Sequence, residues 1–163
     1  MNSQNPINND QLEREIAKRE LYRKSLEGWW ERLTQRGSEW DLETVKHLVV
    51  LNAAGIAGVA TLLAGAGKGL LAAWVGPSTL LCYGLGVILA ILNMYLVSVR
   101  FGLMAGEIKA RITKTWELSE RMDHIFDDLT AGRRLGIAGQ VCGWGSAVLA
   151  VASTVALCLS LVK

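Results

Sequence analysis

Three places in the chain hold residue types whose spacing could support chemistry. Glu120, His124 and Asp127 stand at i, i+4 and i+7. On a helix they would share one face, where carboxylate and imidazole groups ligate metal or relay protons. No second cluster completes a coordination sphere, so the expectation is a solvated face. The second place is the glycine-rich run Ala60 to Gly76, ATLLAGAGKGLLAAWVG. A phosphate-binding loop needs G-x-x-x-x-G-K-[ST] between a strand and a helix. Here Gly67-Lys68 is followed by Gly69, and the leading glycine position holds Leu62. The magnesium-binding hydroxyl and the first turn residue are both missing, so the run reads as a tight turn. The third is His47, a candidate pH sensor that reads more simply as a polar residue at the end of an apolar run. No Ser/His/Asp or Cys/His arrangement has local support. The sequence therefore reads as a non-enzyme, with no catalytic residue, cofactor or metal.

The elements around these residues explain why. The 163 residues include 51% apolar and 20% charged ones, and mean hydropathy is +0.28. The charges are segregated. His47 to Gly67, Gly69 to Val99 and Leu135 to Val162 contain no Asp, Glu, Lys or Arg. About 20 apolar residues cross a bilayer core of roughly 30 Å, and these runs lack the polar face of a soluble helix. The expected class is an all-α integral membrane protein with three transmembrane helices and two amphipathic cytoplasmic helices. The organisation is a cytoplasmic amphipathic segment over 1–46, a transmembrane hairpin over 47–99 with spans at about 47–67 and 78–99, an amphipathic connector over 100–134, and a third span over 135–163. Cys82, Cys142 and Cys158 all fall in the spans, without metal spacing, and predict no disulfide framework. The polar first 40-odd residues exclude a cleavable signal peptide, so the first span should be its own insertion signal.

In the N-terminal segment, Leu12, Ile16, Tyr22, Leu26, Trp29 and Leu33 recur mostly three or four apart. Glu15/Arg19 and Glu20/Lys24 form i,i+4 pairs on other faces. Gly37 is expected to break this helix, and Ser38 with Asp41 to start the next. The connector should be helical from Glu107 to Leu129, with Ile108, Ile112, Leu118, Met122, Ile125 and Leu129 on one side. Glu107/Arg111 and Glu117/Arg121 would be its i,i+4 pairs. Such a helix must return to the membrane by Leu135, either by lying flat or by turning near Thr113 to Thr115; the flat or tilted helix is favoured. Residues 1–46 carry 8 Lys/Arg and 100–134 carry 7, against Lys68 alone in the first turn and Lys163 at the end. The positive-inside bias places the N-terminus and connector in the cytoplasm and the C-terminus in the periplasm of a bacterial inner membrane. The net charge of +2 is too small to argue for nucleic acid.

Polar side chains inside the spans need a partner or water. Asn52, Asn93 and Gln140 are the candidate pore-lining or interhelix polar residues. Gly139, Gly143, Ala147 and Ser146 form a small-residue stripe suited to close helix packing, with an excess that suggests subunit contacts. Trp29, Trp30, Trp40 and Trp74 are candidate interface anchors.

A leading amphipathic helix, a close pair of spans and a charged helix after them resemble the SLATT-type membrane domains of bacterial conflict systems. The resemblance is architectural and covers about residues 10–130; the third span departs from the two-span pattern. It implies a pore-forming effector. Together with the small-residue stripe, the leading expectation is a small homo-oligomeric membrane protein, a pore-forming or membrane-perturbing effector or channel gated by its cytoplasmic helices, with the lipid bilayer and copies of itself as partners. The alternatives are an anchor or scaffold that recruits a cytoplasmic protein, and an immunity or superinfection-exclusion protein.

Overall fold

The computed structural model describes residues 9–65 and 74–162, the side chains of 36–42 apart. Among these it contains three helices: α1 (Asn9–Ala64), α2 (Val75–Trp116) and α3 (Arg133–Leu161). Each includes a stretch long and apolar enough to cross a membrane, in α1 the part Glu43–Ala64. Large apolar side chains point outward along them, among them Leu81, Val141, Trp144 and Val148.

The two separate amphipathic helices do not exist. α1 runs through Gly37 without a break. One interior glycine costs about 1 kcal/mol relative to alanine, whereas stopping and restarting a helix incurs the nucleation penalty again. The second polar helix is simply the continuation of α2 beyond its apolar run, and it ends at Trp116 rather than Leu129. The chain folds into two compact units: residues up to Gly37 with Phe101–Ala131, and Ser38–Arg100 with Gly132 onward.

The larger unit is an up-down-up bundle of three antiparallel helices. Leu63 of α1 lies against Gly76 of α2, and Asn52 lies against Gly86. Along α2 and α3, Leu89 meets Gly145, Asn93 meets Gly139 and Gly143, and Arg100 meets Gly132 and Gly136. Val59, Tyr83 and Ala150, one from each helix, form its apolar centre, with Ile56, Leu63 and Leu157 packed around them. At the first turn, α1 ends where Gly65 N–H donates to Thr61 O, and Pro77 stands in the opening turn of α2, where no backbone donor is needed. The turn glycines Gly67 and Gly69 lie outside the described residues.

The smaller unit depends on two arginines. After Trp116 the chain returns in a non-helical run, and its carbonyls need donors. Arg19 of α1 supplies them for Glu117 O (2.5 Å), Leu118 O (3.2 Å) and Glu120 O (2.8 Å). Arg111 of α2 supplies them for Ile125 O (3.1 Å), Asp127 O (2.5 Å) and Asp128 O (3.3 Å). The carboxylate of Glu107, held at 2.6 Å by Arg111, accepts the N–H groups of Thr130 and Ala131. Thr115 aids the ending of α2, because its hydroxyl donates to Ile112 O at 2.7 Å. Leu26, Ile108 and Ile125 are buried in this unit, Tyr22 meets Phe126 edge-to-face at 5.2 Å, and Arg23 stacks on Trp116 at 4.2 Å. The expected pairs Glu15/Arg19, Glu20/Lys24 and Glu107/Arg111 form. Glu117 lies past the end of α2, so helical spacing no longer brings it beside Arg121.

Charge-assisted hydrogen bonds are each stronger than neutral ones, and orphaned carbonyls add a penalty, so Arg19→Ala should destabilise the smaller unit by about 2–4 kcal/mol. Limited proteolysis within 117–131 should accelerate in the variant while cleavage elsewhere is unchanged. The clasp also carries a pH dependence. The Ala131 N–H, then Arg111 and the Thr130 N–H, hold the Glu107 carboxyl below its ordinary value against partial burial. A depressed folded pKa stabilises above the unfolded value of about 4.3 and stops doing so as pH falls through the folded value. Proteolysis of 117–131 should therefore quicken below that range, and Glu107→Gln should be fast at neutral pH with little further acid response.

Candidate functional site

The larger unit contains a ladder of polar side chains, each set against a glycine on a neighbouring helix. Asn52 is fully buried. Its amide donates to Leu48 O (2.8 Å) within α1 and to Ser146 Oγ (3.1 Å) on α3. Its Oδ1 faces Gly86 of α2, where a Cβ would collide with it, and has no hydrogen-bond partner. One side chain thus joins all three helices. One level away, Tyr83 lies across Gly55, whose missing side chain leaves room for the ring. The Tyr83 hydroxyl pairs with Thr154 Oγ1 at 2.8 Å. In the other direction, a Cβ on Gly139 would stand 3.0 Å from Asn93 Oδ1, and one on Gly143 the same distance from Asn93 Nδ2. The last rung is Arg100, folded over Gly136 and Gly132. Gly132 itself has φ 73°, a left-handed conformation natural to glycine, as it leads into α3.

The expected residues divide accordingly. Asn52 and Ser146 meet. Asn93 does not reach Asn52. The α2 positions they oppose, Gly86 and Asn93 itself, are seven residues apart, about 10 Å of helical rise. Gln140 is exposed, and no hydrogen bond ties it to another helix among the described residues. Gly139 is buried, and with Gly143 it is used within the chain to receive Asn93. That part of the stripe therefore is not spare surface; Ala147 is half-buried beside it. Trp74 is exposed just before α2. Trp29 and Trp30 belong to the smaller unit rather than to the larger one, and the side chain of Trp40 lies outside the described residues.

The chemistry considered for Glu120, His124 and Asp127 loses its geometric basis, since the segment is not helical and the common face is absent. His124 has φ 63° in a turn closed by Asp127 N–H on His124 O, and its Nδ1 is 2.9 Å from Asp127 Oδ2. No group of three metal-binding side chains occurs among the described residues. His47 is exposed, with Nδ1 2.7 Å from Glu43 O.

Sequence reasoning missed Tyr83, Arg100 and the second role of Arg19. A signal for Arg19 was present. It occupies the gap in the apolar series between Ile16 and Tyr22, a place where a cation has to find acceptors. No protein-family model, curated protein or solved structure matches this chain. What the site can do rests on its own geometry, which is that of interhelix fastening.

The pairing of Asn52 with Gly86 makes a testable cycle. Gly86→Ala should lower the melting temperature in mild detergent, at an overpacking cost of about 1–3 kcal/mol. Asn52→Ala removes the obstructing carbonyl, so the double variant should be more stable than the sum of the single changes implies. Strict additivity would show that the two positions are not in contact.

Proposed function

We propose that the chain is a membrane anchor or scaffold: three spans fixed in a bilayer, with the unit of residues 9–37 and 101–131 recruiting a cytoplasmic protein. The observation that carries this reading is where polarity is used. In the larger unit the amide of Asn52 and the hydroxyls of Tyr83, Ser146 and Thr154 are engaged with one another inside one chain. The smaller unit leaves Leu21, Trp30, Leu118 and Phe126 exposed, the kind of apolar surface that marks a protein contact. The Lys/Arg bias supports a cytoplasmic N-terminus and connector with the C-terminus outside, in a bacterial inner membrane.

A homo-oligomeric pore is the second reading, favoured by Gln140, an exposed amide within the apolar run of α3. An amide facing lipid gains from a partner on another copy or from water.

Purified protein in liposomes separates the two. The anchor reading expects no ion flux, a soluble protein that co-purifies with the full chain, and loss of that protein in Leu21→Asp and Leu118→Asp variants that still insert. Flux that disappears in Gln140→Leu would replace it with the pore. Orientation is checked by C-terminal fusions, where phosphatase should be active and a fluorescent protein dark. The reverse pattern would overturn the three-span topology.

A further inference from the structure

The last rung of the ladder is a charged side chain with no polar partner among the described residues. The Arg100 guanidinium lies across Gly136, and its Nε is shut off from solvent without an acceptor. It is placed there because Gly132 and Gly136 present no side chains: a Cβ on Gly136 would stand 2.6 Å from Nη1 and 2.8 Å from Cζ. Arg133 and Arg134, both exposed, open α3 directly beside these glycines. Among the described residues no carboxylate forms an ion pair with any of the three. A partly covered guanidinium without an acceptor is costly. The cost is greater here because Gly132 provides no side-chain cap and the start of a helix disfavours cations. Three arginines therefore stand at the junction of α2 and the start of α3, with no carboxylate paired to them among the described residues.

The position indicates which anion. Arg100 follows the last residue of the apolar run of α2, and Arg133 and Arg134 precede that of α3. With the helices in a bilayer, all three stand at headgroup depth, where basic pockets between spans hold anionic lipid. Arginine forks match phosphate oxygens in pairs. We propose that Arg100, Arg133 and Arg134 form a binding site for a phosphate group, supplied by the headgroup of an anionic phospholipid seated between the ends of α2 and α3. The site rests on the membrane reading above, but not on the choice between anchor and pore.

The test uses the full chain purified in dodecyl maltoside. Its melting temperature and the lipid retained in native mass spectra are measured with phosphatidylglycerol, phosphatidylcholine or inorganic phosphate. Phosphatidylglycerol should be retained and should raise the melting temperature, and phosphatidylcholine should do neither. Arg100→Gln and Arg134→Gln should each weaken retention about fivefold, the worth of one basic contact. Arg134→Gln alters only an exposed side chain and so guards against a folding defect. Gly136→Ala keeps every charge but forces the Arg100 tip aside, and should weaken retention as Arg100→Gln does. Stabilisation by inorganic phosphate to the same degree, lost in the same variants, would uphold the phosphate site and overturn the lipid as its source. Equal retention of both lipids, or phosphatidylglycerol retention indifferent to all three variants, would overturn the site. Carbonate extraction of membranes from expressing cells reads the membrane placement separately. Release of the protein there would overturn the placement and the lipid site together.

Discussion

A polar side chain inside an apolar helix bundle needs two things at once: a partner for its polar atoms and a space for its bulk. In this protein the space comes from glycine. Gly55 admits the ring of Tyr83, Gly86 admits the amide of Asn52, Gly139 and Gly143 admit Asn93, and Gly132 with Gly136 admits Arg100. Glycine in a helix interior is unfavourable by itself, so each rung is sound only as a pair. The arrangement also fixes the rotation of each helix about its own axis. Leu, Val and Ala surfaces slide past one another at little cost. An amide aimed at one glycine and one serine does not.

The smaller unit solves the opposite problem. There, backbone lacks secondary structure and side chains complete it. Arg19 and Arg111 give the segment after Trp116 the donors that a helix or sheet would have given it. Glu107 serves its N–H groups in return. The Tyr22–Phe126 and Arg23–Trp116 contacts then cover it.

That three helices carry stretches long and apolar enough to cross a membrane was legible in the sequence, because length and apolarity alone determine it. The polar residues of those stretches were legible as polar residues, but their partners were not. Which glycine faces Asn52 depends on how the helices are rotated, and a repeat of small residues every three or four positions fits several rotations. The sequence pattern of the α3 stripe suggests an excess for subunit contacts but does not say which part is used within the chain; Gly139 and Gly143 are, since they receive Asn93. Gly37 was read as a break because glycine is a poor helix former, although one such residue is too weak to outweigh a helix continuing on both sides. The connector was read as helical to Leu129 because Ile108, Ile112, Leu118, Met122 and Ile125 keep the spacing. That reading gave no weight to six carbonyls claimed by two arginines, which removes the incentive for the helix to continue.

The distance in sequence between Arg19 and the carbonyl it serves at Glu117, 98 residues, has a consequence for synthesis. Arg19 emerges from the ribosome early, and the backbone it clasps emerges only after both α1 and α2 have been made in full. Until then its guanidinium can bond only to Glu15, water or whatever else is nearby. The smaller unit therefore has no N-terminal half that can mature alone. Its completion reports that the intervening helices have been delivered, and a chain interrupted before Glu117 leaves Arg19 and the apolar residues beside it open to the quality-control machinery.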